Sequence, residues 1–144
     1  MIKYIKRKDL DVEKYNACIE NAVQSRIYAF SWYLDIVVDH WDVLVLDDYE
    51  AVMPIPWRKK AGIKYAYPPF WLLELGVFSL DENVDYQAFF DVLFHKFKFI
   101  ESRLNTDNII KNSSSYLIAK QMQVLKIEDT YESIFENYRK DRKK

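Results

Sequence analysis

The stretch from Ala51 to Phe70, AVMPIPWRKKAGIKYAYPPF, decides the fold because it places two prolines inside a β-strand pattern. Pro54 and Pro56 stand two residues apart, so their missing N–H groups lie on the same edge of the strand. The strand therefore lies at an edge of the sheet, or it splays from its neighbour beyond Met53. An edge of this kind blocks unwanted pairing, whereas a splayed pair of strands opens a cleft for a ligand.

The segment RKKAGI, residues 58–63, joins this strand to the next one. A phosphate-binding loop needs several backbone N–H groups that point at the anion, and a helix normally follows it. Only Gly62 offers the required backbone freedom, and residues 63–67 alternate like a strand. The sequence therefore favours a hairpin turn with solvated lysines over a phosphate loop.

Strands and helices surround this hairpin in a mixed order. Strands are predicted at 2–6, 42–48, 50–57 and 63–67, with further strands near 107–112 and 121–127. Helices are predicted from Asp11 to about Val23, through Phe30 to Trp41 with Ser25 or Ser31 as the start, over 81–104 and from Asp129 through Tyr138. This order predicts an α/β (α+β) fold with a mostly antiparallel mixed sheet flanked by helices, in a single domain over 1–144.

The composition is typical of a packed protein with balanced charge. Of the 144 residues 17% are aromatic, and Lys+Arg 21 nearly equals Asp+Glu 22. A duplex-DNA-binding protein normally has a basic excess, so we expect no nucleic-acid partner. The single cysteine, Cys18, excludes an intrachain disulfide and fits a reducing compartment. No apolar run reaches the roughly 18 to 20 residues of a membrane span, so we expect a cytoplasmic protein.

Aromatic and basic residues cluster around the proline-containing strand and form the candidate ligand surface. Its members are Trp57, Arg58, Lys59, Lys60, Tyr65, Tyr67, Phe70 and Trp71. Exposed rings would stack on a sugar or a peptide, and the cations would supply charge. Core packing is the competing explanation for most of the rings. A further alternative is that YPPFWLLELG, residues 67–76, forms an apolar patch that a partner domain or a second copy covers.

Other residue types offer little for catalysis, and no catalytic residue is assigned. The histidines, His40 and His95, are far apart in the sequence, and His95 is expected to be a partly buried structural residue on its helix. Cys18 flanks the apolar face of its helix and is expected to be a buried small apolar residue. The acids at 47, 48 and 50 are expected to be turn residues. No spacing of metal-ligating residues predicts a metal site.

Several strings resemble the N-terminal half of FemAB-like proteins, which contain two tandem GNAT-type acyltransferase domains. They are QSRIYAFSWYLDIV (24–37), WDVLVLDDYEAVMPIPWRKKAGIKYAYPP (41–69), LGVFS (75–79) and EDTYESIFENYRKDRKK (128–144). The resemblance implies a GNAT-like fold whose first half generally lacks an intact CoA loop. It also implies that acyl-donor chemistry depends largely on the second half. We therefore expect no cofactor in this chain, and an acyl-CoA or aminoacyl donor only in a longer protein.

Two functions follow from the resemblance. In the first, the chain is an acyltransferase-related domain that lacks a pyrophosphate loop and forms a substrate groove with a second GNAT-like domain. The longer protein would then be an N-acyltransferase, and this chain alone would be inactive. In the second, the chain is a non-catalytic interaction or structural module that pairs with a second copy of itself.

Overall fold

The computed structural model describes residues 1–108, 118–121 and 130–136. They belong to two compact units, 1–113 and 114–144. In the first unit the elements are β1 Ile2–Lys6, α1 Val12–Asn21, α2 Ser31–Val37, β2 Trp41–Leu46, β3 Ala51–Lys60, β4 Ile63–Ala66, β5 Phe78–Ser79 and α3 Tyr86–Lys96. Single turns of 3₁₀ helix cover Arg7–Asp9 and Ile27–Ala29. In the second unit, α4 covers Tyr131–Glu136.

Some sequence-based expectations concern residues outside this description. The strands predicted near 107–112 and 121–127 lie almost entirely outside the described residues, as do Asp129 and Tyr138 of the last predicted helix. Thr130 Oγ1 accepts a hydrogen bond from the Ser133 amide at the start of α4. The single domain over 1–144 stays a prediction.

The described strands form one sheet in which neighbouring strands are antiparallel. The order is β1-β2-β3-β4, and β5 also pairs with β3. On one edge, β3 pairs with β2 from Ala51 to Pro56. On the other edge, β3 pairs with β5 at Ala51–Val52 and with β4 at Trp57–Lys60. The predicted α+β fold with a mostly antiparallel sheet is therefore confirmed.

Pro54 and Pro56 lie where the second edge of β3 loses its partner. The Trp57 amide donates a hydrogen bond toward the β2 side, so strand alternation places both proline nitrogens on the opposite edge. On that edge the pairing with β4 stops at the Tyr67 amide, which donates to the Pro56 carbonyl. Pairing resumes only at Phe78 in β5. The predicted splaying of the strand pair is therefore confirmed, and the alternative of an edge strand is wrong because β3 has partners on both edges.

Residues 68–77, which we call the excursion, connect β4 to β5 and leave the line of the strand. Extended residues 99–105 lie beside them and form parallel bridges at Ala66 and Leu75. The Leu75 amide donates to the Arg103 carbonyl over 2.7 Å. The backbone of 99–105 thus supplies hydrogen-bond partners to Ala66 at the end of β4 and to Leu75 in the excursion.

The helix predicted over 81–104 is wrong at both ends, because α3 covers only Tyr86–Lys96. It begins where the Asp85 carboxylate accepts a hydrogen bond from the Ala88 amide, as an N-cap does. It ends because Phe97 has extended backbone dihedrals. The residues after Phe97 pair with Ala66 of β4 and with Leu75 of the excursion, and this pairing outweighs their helix-like apolar spacing.

The turn between β3 and β4 consists of Ala61 and Gly62. Both have positive φ, 49° and 80°, and Lys60 pairs directly with Ile63. Positive φ at both central residues characterises a type I′ turn, whose twist matches that of a hairpin. A strand follows this turn, so the predicted hairpin at RKKAGI is confirmed.

Helices cover both faces of the sheet. Val52 packs with residues of α1 and α2 in one hydrophobic core, and Met53 and Ile55 pack with residues of α3 in the other. Because β3 is buried on both faces from Ala51 to Pro56, its sequence reads as a continuous apolar run. The first unit is therefore a three-layer arrangement of helices, sheet and helix.

Helices α1 and α2 are shorter than predicted. The predicted cap of α1 is confirmed, since the Asp11 carboxylate accepts the Lys14 amide at 3.1 Å. The helix ends before Val23, whose amide donates instead to the Ser79 carbonyl in β5. Trp41, predicted as the end of α2, begins β2 and pairs with β3.

Cys18 is a buried apolar residue, as predicted, and is 3% exposed. Burial raises the pKa of its thiol to about 11, so little reactive thiolate forms near neutral pH. We expect a thiol reagent at pH 8 to label the folded protein at least about 100-fold more slowly than the denatured chain. The measurement is the labelling rate with and without denaturant. Equal rates would contradict the burial of Cys18.

Candidate functional site

An open cleft of about 320 Å³ lies where β1 ends and β2 begins. The residues Lys6–Lys8 form one side, and Asp39 and His40 form another. Trp57 of β3 also lines the cleft. The volume lies at the lower end of the range of small-molecule sites, so the cleft is large enough to take a ligand.

Trp57 is the main aromatic residue of the cleft and is held by two contacts. Its ring stacks on the His40 imidazole with centroids 4.6 Å apart and planes inclined by 23°. The Lys64 ammonium lies 3.8 Å from the centroid of a Trp57 ring, within cation–π range. The backbone supports this arrangement, because the Trp57 amide donates to the His40 carbonyl at 2.9 Å. The indole is thus fixed beside the cleft.

The Lys64 ammonium is enclosed by a buried carboxylate and aromatic rings. It lies 2.7 Å from Oδ2 of Asp42 and 2.6 Å from the Tyr4 hydroxyl. The Tyr4 hydroxyl donates to the same Asp42 oxygen. The ring centroids of Tyr4 and Phe97 are 5.2 and 5.3 Å from the ammonium. These contacts join β4 to β1 and β2.

Electrostatics keep Asp42 ionised. Burial alone would raise the pKa of Asp42, but hydrogen bonds from Lys64, Tyr4 and the Arg7 amide outweigh it and lower that pKa. Burial, then the hydrogen bond to Asp42 and its charge, raises the pKa of Tyr4. Neither group is poised to exchange a proton near neutral pH. The cluster therefore positions Trp57 and is not a general acid–base pair.

Arg7 is a fixed part of the cleft wall. Its Nε and Nη2 donate to the two carboxylate oxygens of Asp35 at 2.9 and 2.7 Å. Asp35 also accepts a hydrogen bond from Trp41 Nε1 at 2.9 Å, and the Arg7 guanidinium lies 5.2 Å from the Trp41 ring centroid. The hydrogen bond from Arg7 lowers the pKa of Asp35. A forked ion pair of this kind leaves Arg7 committed to Asp35.

The eight residues predicted as a ligand surface occupy different parts of the structure. Trp57 lines the cleft, and Lys59 and Lys60 are exposed at the end of the hairpin. The alternation of β3 and β4 places Arg58, Tyr65 and Tyr67 on the face opposite to that of Trp57. The Arg58 guanidinium lies 4.4 Å from the Tyr67 ring centroid, and its Nε donates to Asp39 at 2.6 Å. Arg58 thus contacts the cleft only through Asp39.

The other two predicted residues, Phe70 and Trp71, lie on the excursion. Their side chains are 80% and 66% exposed, and their rings meet edge to face at 5.0 Å. The Tyr33 hydroxyl donates to the Trp71 carbonyl at 3.0 Å and so joins the excursion to α2. Trp32 of α2 and Leu73 are also at least half exposed. We call Trp32, Phe70, Trp71 and Leu73 the aromatic surface.

The splayed edge of the sheet offers little room. The space beside it is about 10 Å³ and is lined by Pro56, the excursion and Arg103. This volume is close to the minimum for one water molecule. Within the excursion, Glu74 is buried and pairs with Arg26 at 2.5 Å. The splay therefore does not open a ligand cleft in the described residues, because the excursion and residues 99–105 fill it.

Sequence reasoning assigned no role to several residues in or behind the cleft. These are Lys6, Arg7, Lys8, Asp39, Asp42 and Lys64, with His40 noted only as one of two histidines. Lys6, Arg7 and Lys8 form one basic run, whereas Asp39, Asp42 and Lys64 lie in distant segments, and only the register of the antiparallel pairs brings them together. The one sequence signal was the acid of WDVLVL, a charge within a buried strand. His95, predicted to be partly buried, is exposed.

Comparisons with known proteins identify no relative: no family model, no curated protein and no solved structure matches this chain. Within the described ranges, no group of three or more His, Cys, Asp or Glu side chains is arranged to hold a metal ion. The same part of the chain contains no helix with the length and apolar character needed to cross a bilayer. What the cleft binds therefore has to follow from its own residues.

Proposed function

We propose that this chain is an acyltransferase-related, GNAT/FemAB-like domain that contributes a substrate groove and relies on a second domain for the acyl donor. The observation that carries the proposal is the contrast between the two spaces beside β3. The cleft has about 320 Å³ open to solvent, whereas the space at the splayed edge has about 10 Å³. A small substrate fits the first space, and no acyl-donor arm fits the second.

The start of α3 further disfavours a pyrophosphate-bearing donor. A helix N-terminus attracts phosphate through its free N–H groups and its dipole. Here the Asp85 carboxylate already accepts the Ala88 amide, and Asp81 and Glu82 precede it. Three carboxylates at this position would repel a phosphate. The proposed location remains cytoplasmic, because the single cysteine fits a reducing compartment.

Calorimetric titration of the 144-residue chain with acetyl-CoA tests the proposed division of labour. We expect no saturable binding up to about 1 mM, because neither the splayed edge nor the α3 start accommodates the donor. A complete single-domain acetyltransferase in the same buffer serves as the positive control. Saturable binding at micromolar concentration would contradict a substrate-only role.

A second candidate function is a non-catalytic interaction module that works as a homodimer. The observation that favours it is the aromatic surface, whose four side chains are between 50% and 80% exposed. The rings of Phe70 and Trp71 are in contact, and exposed apolar patches mark interaction sites in many soluble proteins. In the first function, the same surface would instead meet the second GNAT-like domain.

Light scattering distinguishes these two uses of the aromatic surface. A homodimer has twice the mass of one chain, and the change Trp71→Ser together with Phe70→Ser should convert it to a monomer. The same measurement on Lys59→Ser with Lys60→Ser is the matched control, because these side chains are exposed at the hairpin end. A monomer at all concentrations would exclude the homodimer.

A further inference from the structure

The acidic groups of the cleft are already neutralised. Each of the three carboxylates that line it is paired with a basic side chain. The pairs are Asp35 with Arg7 at 2.7 Å, Asp39 with Arg58 at 2.6 Å and Asp42 with Lys64 at 2.7 Å. Ion pairing on this scale leaves little negative charge to attract a cationic ligand. No carboxylate that lines the cleft is therefore free to bind a cationic ligand.

Three basic or donor groups of the cleft remain uncommitted. Among the described residues, no carboxylate pairs with Lys6. The carboxylate nearest to Lys8 is its exposed neighbour Asp9 at 3.9 Å, a contact of small energy. His40 stacks on Trp57, and no described hydrogen bond involves its ring nitrogens. The cleft thus has more N–H donors and positive charge than its own carboxylates neutralise.

The arrangement of these donors suits one small ligand. Lys6 and Lys8 flank Arg7, whose backbone amide is held by Asp42 and whose guanidinium is held by Asp35. The fixed residue between them keeps the two flanking backbone positions in place. On another side of the cleft, the stacked rings of His40 and Trp57 offer an apolar surface beside a donor.

We propose that the cleft binds a small ligand with an oxyanion group, a carboxylate or a phosphate, which Lys6, Lys8 and His40 contact. The remainder of the ligand packs beside the His40–Trp57 stack. Charge-assisted hydrogen bonds to an oxyanion are about twice as strong as neutral ones, which makes these three residues the main source of affinity. This inference rests on the proposed substrate role of the cleft and names the chemical class of the substrate.

Histidine NMR of the full 144-residue protein tests the inference, because the chain has only two histidines. His40 lies in the cleft, and His95 is exposed on α3 and serves as an internal control. Inorganic phosphate and succinate are titrated separately at constant pH and ionic strength. We expect at least one of them to shift the His40 imidazole signals saturably, with Kd of about 10 mM or lower, and to leave His95 almost unchanged. The anion with the lower Kd shows whether the cleft prefers a phosphate or a carboxylate.

Charge variants supply the second arm of the experiment. The double change Lys6→Gln and Lys8→Gln is expected to weaken binding about ten-fold or more. The double change Lys59→Gln and Lys60→Gln removes the same charge at the hairpin and should alter Kd by less than about two-fold. Equal weakening by both pairs, or equal shifts of both histidines, would mean non-specific charge attraction and would overturn the inference.

The failure of this inference and the failure of the proposed function have different signatures. If neither anion shifts His40 at about 50 mM, the oxyanion class is wrong. The substrate role of the cleft would then survive only if uncharged fragments, such as N-methylacetamide, shift His40 and not His95. The proposed function fails separately if acetyl-CoA binds the isolated chain at micromolar concentration.

Discussion

Replacing Gly76 with alanine is expected to lower the free energy of unfolding by about 3 to 5 kcal/mol. Gly76 has a φ of 113°, which residues with a side chain rarely adopt. A Cβ at this position would overlap Oδ1 of Asn108 and lie 3.0 Å from its Cγ. Asn108 is buried and cannot move away freely, because its Oδ1 accepts the Val77 amide and its Nδ2 donates to the Val77 carbonyl.

Gly62→Ala is the matched control, because Gly62 is the chain's other glycine. Its φ is 80°, and a Cβ there would meet no atom within 4 Å. Only backbone strain remains, and we expect a loss of about 1 to 2 kcal/mol. Denaturant unfolding followed by circular dichroism measures both variants. A loss for Gly76→Ala no greater than that for Gly62→Ala would contradict the packing of Asn108 against this backbone.

The change Asp42→Asn is expected to lower the free energy of unfolding by about 2 to 4 kcal/mol. Asparagine removes the charge that balances the Lys64 ammonium, and its NH₂ group would face other donors. Removing one partner of a buried ion pair is costly because the other charge stays desolvated. The Lys64 side chain is 30% exposed, and water therefore offsets part of the loss.

Asp39→Asn is the control for Asp42→Asn. Asp39 also pairs with a basic residue, Arg58, but the two side chains are 59% and 50% exposed. Exposed pairs of this kind contribute little, so we expect a change within about 0.5 kcal/mol. Thermal or denaturant unfolding of both variants at neutral pH makes the comparison. Equal losses would contradict the assignment of Asp42 as the buried partner.

The pH dependence of Asp42→Asn supplies an independent check. The folded pKa of Asp42 is lowered, so its stabilisation is complete above its unfolded pKa of about 3.9 and is lost as the pH falls through the folded value. The difference in unfolding free energy between wild type and variant should be full at about pH 6 and shrink as the pH falls below about 3.9. A difference that is independent of pH would contradict an ionised Asp42 in the folded protein.

The hairpin and the interrupted edge were predictable from the sequence because local rules determine them. Proline lacks an N–H donor wherever it stands, and Gly62 readily adopts the positive φ that a two-residue turn requires. The extended residues 99–105 were not predictable in the same way. Their apolar spacing continues that of α3, and only the free edge formed by Ala66 and Leu75 gives them backbone partners in another conformation. That edge is a tertiary feature, which a helical pattern cannot reveal.

The cleft was predictable only in part. Trp57 stood out because it adjoins prolines and basic residues within one segment. Asp42, Tyr4 and Lys64 come from three strands, and their proximity depends on the register of β1, β2 and β4. Register follows from the turns, and the turn at 61–62 places Lys64 opposite Lys59. The contact between Lys64 and Asp42 also depends on how β3 pairs with β2, and the sequence alone does not determine the register of that pair.

Amide chemical-shift mapping with a panel of small fragments shows whether the cleft is the ligand site. We expect fragments that carry a carboxylate or phosphate to shift the amides of Lys6–Lys8, Asp39–Asp42 and Trp57 most strongly, and these shifts to saturate. The lysines at the hairpin end should respond weakly. Strongest shifts at Lys60–Ile63, or at Phe70 and Trp71, would contradict this expectation and would move the ligand site to the hairpin or to the aromatic surface.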